Sequence, residues 1–132
     1  MTAIDPTRLA CTPQLALTLA EGLLNSAAAG KGESYAVWPS YATLPLAGLL
    51  YAAHQDGLGP QWVLQAAANT GRHMAPDEPG WVNAAQQIAD APLLAMAMTR
   101  AANLEARQRA SLRKTVVDAL AVCAPRETGE WR

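Results

Sequence analysis

The sequence predicts an all-α protein, a compact single-domain bundle of about six helices. Three observations carry that expectation. The chain has 132 residues, a length that suits one domain able to bury roughly two thirds of its unfolded surface. Alanine and leucine are abundant and Phe is absent, while Val, Ile, Tyr and Trp are too few and too scattered to supply a sheet. Apolar residues recur three and four apart between Pro and Gly punctuation, which is the period of a helix.

Thr12-Pro13 opens the first predicted helix. Thr is the N-cap and Pro sits in the first turn, where a missing N–H costs nothing. Leu15, Leu19 and Leu23 then form one stripe, with Ala16, Ala20 and Leu24 beside it. Gly30-Lys31-Gly32 ends this helix. It is not a phosphate loop, because G-x-x-x-x-G-K-[ST] requires Ser or Thr where Gly32 stands.

From Ser34 to Gln55 there is no formal charge and most residues are apolar. Pro39, Pro45, Ser40, Thr43 and the tyrosines interrupt the stretch, and no basic cluster flanks it, so a membrane span is not predicted. The expectation is a central helix near residues 39–54, buried on most sides. Its core set is Trp38, Tyr41, Ala42, Leu46, Leu49, Leu50 and Ala53, with Gly48 admitting a close neighbour and Pro45 expected to kink it. "HQDGLG" is a turn, and Pro60 starts a short helix through Trp62, Val63, Ala66 and Ala67 that Gly71 closes.

"RHMAPDEPG" reads as a loop. Asp77 or Glu78 favours the start of a helix from about Pro79 to Asp90, Pro92 starts another, and a long last helix runs near residues 104–122. Its inward side gathers Leu104, Ser111, Leu112, Thr115, Val116, Ala119 and Cys123. No internal repeat divides the chain, and residues 1–132 read as a single domain.

The formal net charge is −1, so the chain as a whole lacks the footprint of a polyanion binder. The distribution is uneven. Residues 1–99 carry Arg8, Lys31 and Arg72 against Asp5, Glu21, Glu33, Asp56, Asp77, Glu78 and Asp90. Residues 100–114 carry Arg100, Arg107, Arg109, Arg113 and Lys114 against Glu105 alone. These five cations are the candidate contacts for DNA or a protein partner, the alternative being an ordinary solvated surface. They do not form one stripe, since Arg107 and Lys114 share one flank of the helix and Arg109 and Arg113 the other. Trp38, Trp62 and Trp81 read as core rather than as base-stacking platforms, and Trp131 as exposed.

The start, "MTAIDPTRLACTP", has acid and proline where a signal peptide has basic and then apolar residues. A cytoplasmic chain with reduced thiols is therefore expected. Cys11, Cys123, His54 and His73 offer no ligand pair at zinc-site spacing, and neither a metal nor another cofactor is expected. No Ser lies in a G-x-S-x-G elbow. Each histidine falls at a predicted helix end or in a loop, and Asp77-Glu78 reads as helix-start chemistry. Catalytic residues are not expected, although an acid/base enzyme with its residues at unrelated positions stays a third alternative.

With the segments in place, the chain resembles the all-alpha domain of type IV secretion coupling proteins, the TraD/TraG-like conjugation ATPases, in their actinobacterial form. "DPTRLACTPQLALTLAEGLL" is similar to the segment that leaves the family's ATPase core. Trp38, Tyr41-Ala42 and Leu49-Leu50-Tyr51-Ala52-Ala53 resemble its W-x-x-A-A…L-L-x-A-A helix. Trp62-Val63 resemble its R-W-[VL] helix, and Arg107-Gln108-Arg109-Ala110-Ser111 its R-x-R-x-S turn into a last helix ending in Ala119-Leu120. Pro39, Pro45 and Gln61 depart from the family's usual residues.

The resemblance implies a domain excised from a larger ATPase that is anchored in the membrane as a hexamer, while this part stays outside the membrane on its cytoplasmic face. The chain itself lacks the P-loop and acidic magnesium-binding motifs, so it would not hydrolyse ATP. The implied role is substrate recognition in conjugation: binding a relaxase, the relaxosome or a secreted protein, and guiding single-stranded DNA. The alternative reading is a stand-alone helical nucleic-acid-binding module using Arg107, Arg109, Arg113 and Lys114.

Overall fold

The computed structural model describes residues 6–28, 37–70 and 78–121. They form seven helices and, among the described residues, no strand. These are α1 (Pro6–Leu9), α2 (Pro13–Ala28), α3 (Val37–Gln55), α4 (Pro60–Ala68), α5 (Trp81–Gln87), α6 (Pro92–Ala102) and α7 (Ala106–Ala121). The single turn α1 is the element that the sequence reading left out. It is too short to show a period.

The starts of α2, α4 and α6 at Pro13, Pro60 and Pro92 follow the expected chemistry, whereas α5 has no acid in its first turn and Glu78 accepts from Asn69 instead. The Thr12 hydroxyl accepts the Leu15 N–H at 3.1 Å, and the Thr12 carbonyl accepts Ala16 N–H at 2.9 Å, so Thr12 caps α2 as a Thr before Pro should. At the other end of α3, Gly57 has φ +67, Gly57 N–H reaches the His54 carbonyl at 3.2 Å, and Leu58 N–H reaches Ala53 at 2.8 Å. That is a Schellman ending, and its left-handed residue is glycine because a Cβ there would be strained. Helix α5 is shorter than the expected Pro79–Asp90. It begins after Gly80 and gives way to a turn at Ile88, since Pro92 pushes Ala91 out of the helical region (φ −120, ψ 72).

Helix α3 is the centre of the bundle and packs against all six of the other described helices. Every residue from Pro45 to Ala53 is buried. A helix apolar on all sides needs cover on all sides, and the surrounding helices supply it with Leu24, Val63, Trp81, Ile88, Leu94, Met98, Leu112, Val116 and Leu120. No helix among the described residues is long and apolar enough to cross a membrane.

Leu46, Leu49, Leu50, Leu112 and Val116 are buried, and Trp62 is half-buried against the core. The side chain of Trp38 lies outside the described residues, as do Lys31, Arg72, His73, Asp77, Cys123 and Trp131. Tyr41 corrects the sequence reading: it is 64% exposed. It falls on the helical line that continues through Gly48, but the cover from α5 and α6 meets α3 at Gly48 and Tyr51. Leu44 is exposed as well, while Ala42, Pro45 and Leu46 beside it are buried. In α2 the faces are also rotated from expectation. Ala16, Ala20 and Leu24 are buried, whereas Leu15 is exposed and Leu19 and Leu23 are half-buried. The small side chains let α2 lie close along α3.

Gly48 shows the same close approach in its limiting form. A Cβ at this position would collide with Sδ of Met98 and stand 3.0 Å from Met98 Cγ and 3.4 Å from Ile88 Cδ1. Gly48→Ala sets a helix-propensity gain of about 1 kcal/mol against an overpacking cost of about 1–3 kcal/mol. The substitution is expected to lower stability. Met98→Ala costs about 2–5 kcal/mol by itself, but in that background Gly48→Ala is expected to stabilise, because the colliding atoms are gone. Denaturant unfolding of the two single variants and the double variant tests the change of sign, and an unchanged sign would remove Met98 as the reason for the glycine.

Candidate interaction surface on the last two helices

Helix α7 presents Leu112, Thr115, Val116, Ala119 and Leu120 to the core. Thr115 satisfies its buried hydroxyl by donating to the Ser111 carbonyl at 3.0 Å. The opposite side and the two flanks carry the cations expected from the sequence, and the structure sorts them into two kinds.

Arg107 and Arg113 on α7 and Arg100 at the end of α6 are exposed. No carboxylate pairs with them among the described residues. Lys114 differs, since its ammonium meets Asp118 at 2.8 Å. The pair is one helical turn apart and largely solvated, so it is worth only about 0.3–0.5 kcal/mol, yet it offsets a positive charge that the sequence reading counted in full. Arg109 differs more. It is half-buried, and Nη1 donates to the Thr70 carbonyl at 3.3 Å. Its Nε is buried without a hydrogen-bond partner among the described residues. Arg109 therefore links α7 to the end of α4 and belongs with the packing of the bundle. The open basic surface reduces to Arg100, Arg107 and Arg113.

Thr70 follows the residue that holds this end of the bundle together. Asn69 donates from Nδ2 to Glu78 Oε2 and to the Pro79 carbonyl, both at 3.0 Å, and its own carbonyl accepts the Trp81 N–H at 3.1 Å. Trp81 is fully buried, with its indole N–H given to the Ala67 carbonyl at 3.1 Å. The two ends of the 71–77 segment are thereby brought side by side. Of the candidate loop near Arg72 to Gly80, residues 78–80 fall within the description.

Two further polar links were not anticipated from the sequence. Tyr51, whose ring is buried, donates its hydroxyl to Asp90 Oδ2 at 2.7 Å, and Gln55 Nε2 donates to that hydroxyl at 2.7 Å and to Asp90 at 3.1 Å. The hydrogen bond to the Asp90 carboxylate, with burial and the Asp90 charge behind it, raises the Tyr51 pKa above its ordinary 10.0. The cluster joins α3 to the turn before α6. His54 Nδ1 lies 2.9 Å from the Thr7 carbonyl. A carbonyl only accepts, so this contact is a hydrogen bond only when Nδ1 carries the proton. It fastens α1 to the end of α3.

Cys11 is an exposed free thiol. Among the described residues no group of three or more His, Cys, Asp or Glu is placed to hold a metal ion.

The Tyr51 link has a pH signature. A folded-state pKa above 10.0 means that the unfolded chain loses this proton first as pH rises. The stabilisation is complete below about pH 10 and is lost above it. Tyr51→Phe is expected to cost about 1 kcal/mol at neutral pH and to flatten the alkaline fall in stability, as read from thermal unfolding between neutral pH and pH 11. An alkaline fall of the same size in the variant would place its origin elsewhere.

Comparison with family models, with curated proteins and with solved structures returns no match for this chain.

Proposed function

We propose that this chain is a substrate-recognition module of a type IV secretion or conjugative coupling protein, binding a relaxase, the relaxosome or a secreted protein substrate. The observation that supports it is the order of its segments: the capped opening helix, the uncharged central helix, the Trp62 helix and the R-x-R-x-S start of the last helix follow one another as in the family's all-alpha domain. The all-helical fold agrees with that reading. The comparisons add nothing to it.

In this reading the core is scaffold and recognition sits on the surface. The chain is not an enzyme in its own right and needs no cofactor. Its parent is a membrane-anchored hexameric ATPase, and this part lies on the cytoplasmic side. The polar side chains with the best-defined geometry, Tyr51, Asn69, Trp81 and Arg109, each bond across to another element. On the last two helices, Arg100, Arg107 and Arg113 together with the exposed apolar residues of α6 are open to a partner.

The direct test is co-purification of the chain with the relaxase, the accessory proteins and the secretion signals of its own transfer system. Retention of one of them is expected, and retention of none would reject the reading.

The open cations favour a second reading, a helical nucleic-acid-binding module. Fluorescence anisotropy of a labelled single-stranded oligonucleotide separates the two. Binding that falls steeply with salt and is lost in the Arg100→Glu, Arg107→Glu, Arg113→Glu triple variant is the nucleic-acid outcome. With three open cations opposite a phosphate backbone, the slope of log affinity against log salt is expected to be about −2 for a single strand.

A further inference from the structure

We propose that the outer face of α6 is a docking line for an acidic amphipathic helical segment of a partner protein. This deepens the recognition reading above and rests on it. Leu93 is 76% exposed and Met96 51% exposed, and Arg100, also exposed, continues the same line. The three stand at i, i+3 and i+7, so they share one face of the helix, which is the spacing by which helices read one another. Behind that face Leu94, Met98, Ala101 and Ala102 are buried, and Met98 is packed over Gly48. The line is therefore held on a helix fixed in the core, and little ordering of the main chain is needed on binding.

The chemistry of the occupant follows from the charges. Helix α6 carries no carboxylate, and its one charge, Arg100, is exposed; on α7 Arg107 and Arg113 are open as well. An apolar ridge that ends in a cation and has no carboxylate on its helix attracts an acidic segment and repels a basic one. A nucleic acid suits this face poorly. Stacking needs aromatic platforms, and "PLLAMAMTRAA" has none. A second copy of the same face suits it no better, because it would bring Arg100 to a surface whose own helix offers no carboxylate.

The test is selection of a displayed library of random helical peptides against the intact chain, with affinities of the enriched peptides measured on three variants. Leu93→Ser with Met96→Ser alters exposed positions, as does Arg100→Glu, and both are expected to keep the fold, checked by circular dichroism and thermal unfolding. Gln65→Glu, at an exposed position of α4, is the control. Enriched peptides are expected to pair Asp or Glu with apolar residues three and four apart. Their affinity should fall at least tenfold on the double serine variant and on Arg100→Glu, change less than threefold on Gln65→Glu, and resist competition by single-stranded DNA.

Peptides that bind the double serine variant undiminished would overturn the assignment of this face while leaving the recognition reading in place. Basic peptides, or displacement by DNA, would overturn the chemistry. A concentration-dependent dimer of the chain alone that Leu93→Ser dissolves would give the face to a second copy. A selection that enriches nothing would count against both the docking line and the recognition reading.

Discussion

The burial of α3 is the constraint on which the other helices depend. A helix without a formal charge and with apolar residues around its whole circumference has no face to give to water, so neighbours must close over it on every side. The six other described helices do so. Much of the interface is alanine: Ala42, Ala47, Ala52 and Ala53 on α3 meet surfaces that bury Ala16, Ala20, Ala66, Ala67, Ala84 and Ala119. Each alanine removes little apolar area, so the gain per residue is modest. The compensation is close approach of the main chains and dense packing between them. Gly48 is the extreme of this pattern, with the Met98 side chain in the volume a Cβ would need.

Surfaces built from small side chains specify position weakly, because neighbouring registers pack almost as well. The polar links act on that weakness. Tyr51, Gln55 and Asp90 fix the end of α3 against the turn before α6, Trp81 fixes α5 to the end of α4, Arg109 fixes α7 to Thr70, and His54 fixes α1. Each joins elements far apart in sequence at one distance. A hydrogen bond of this kind contributes only about 1 kcal/mol net, but an incorrect register leaves its buried donors or acceptors unmatched, and that penalty falls on the wrong structure alone.

This division explains what was legible in the sequence. The helix starts were readable because caps and prolines act locally: Thr12-Pro13, Pro60 and Pro92 each open a helix. The central role of α3 was readable because absence of charge from Ser34 to Gln55 leaves a helix few other places to go. The face of α2 that turns inward was not readable, since leucine and alanine stripes lie side by side and the choice between them depends on how close α3 can come. Tyr41 misled for a related reason. Its spacing puts it on a core line, but spacing alone does not show how far along that line neighbouring helices reach. Neither the Arg109 contact with Thr70 nor the convergence of Tyr51 with Asp90 leaves a local mark, because each spans 39 positions. The Lys114 pairing was visible in principle, as Asp118 stands one turn away on the same helix.

The sorting of the cations also changes what the late basic segment can do. Five positive charges within fifteen residues suggest a surface for a polyanion, where affinity grows with each phosphate neutralised. With Arg109 held against a carbonyl and Lys114 against Asp118, three remain open, on two helices and not in one stripe. That is a weak electrostatic footprint for a nucleic acid. It is adequate for a protein partner, where a few charges steer and orient while apolar contact supplies most of the affinity. Leu93 and Met96 provide such contact beside Arg100, on a helix whose other face is locked against the glycine of α3. The same close packing that makes the central helix hard to alter therefore holds α6 in a fixed attitude, and gives its outer face the rigidity that recognition by side-chain spacing requires.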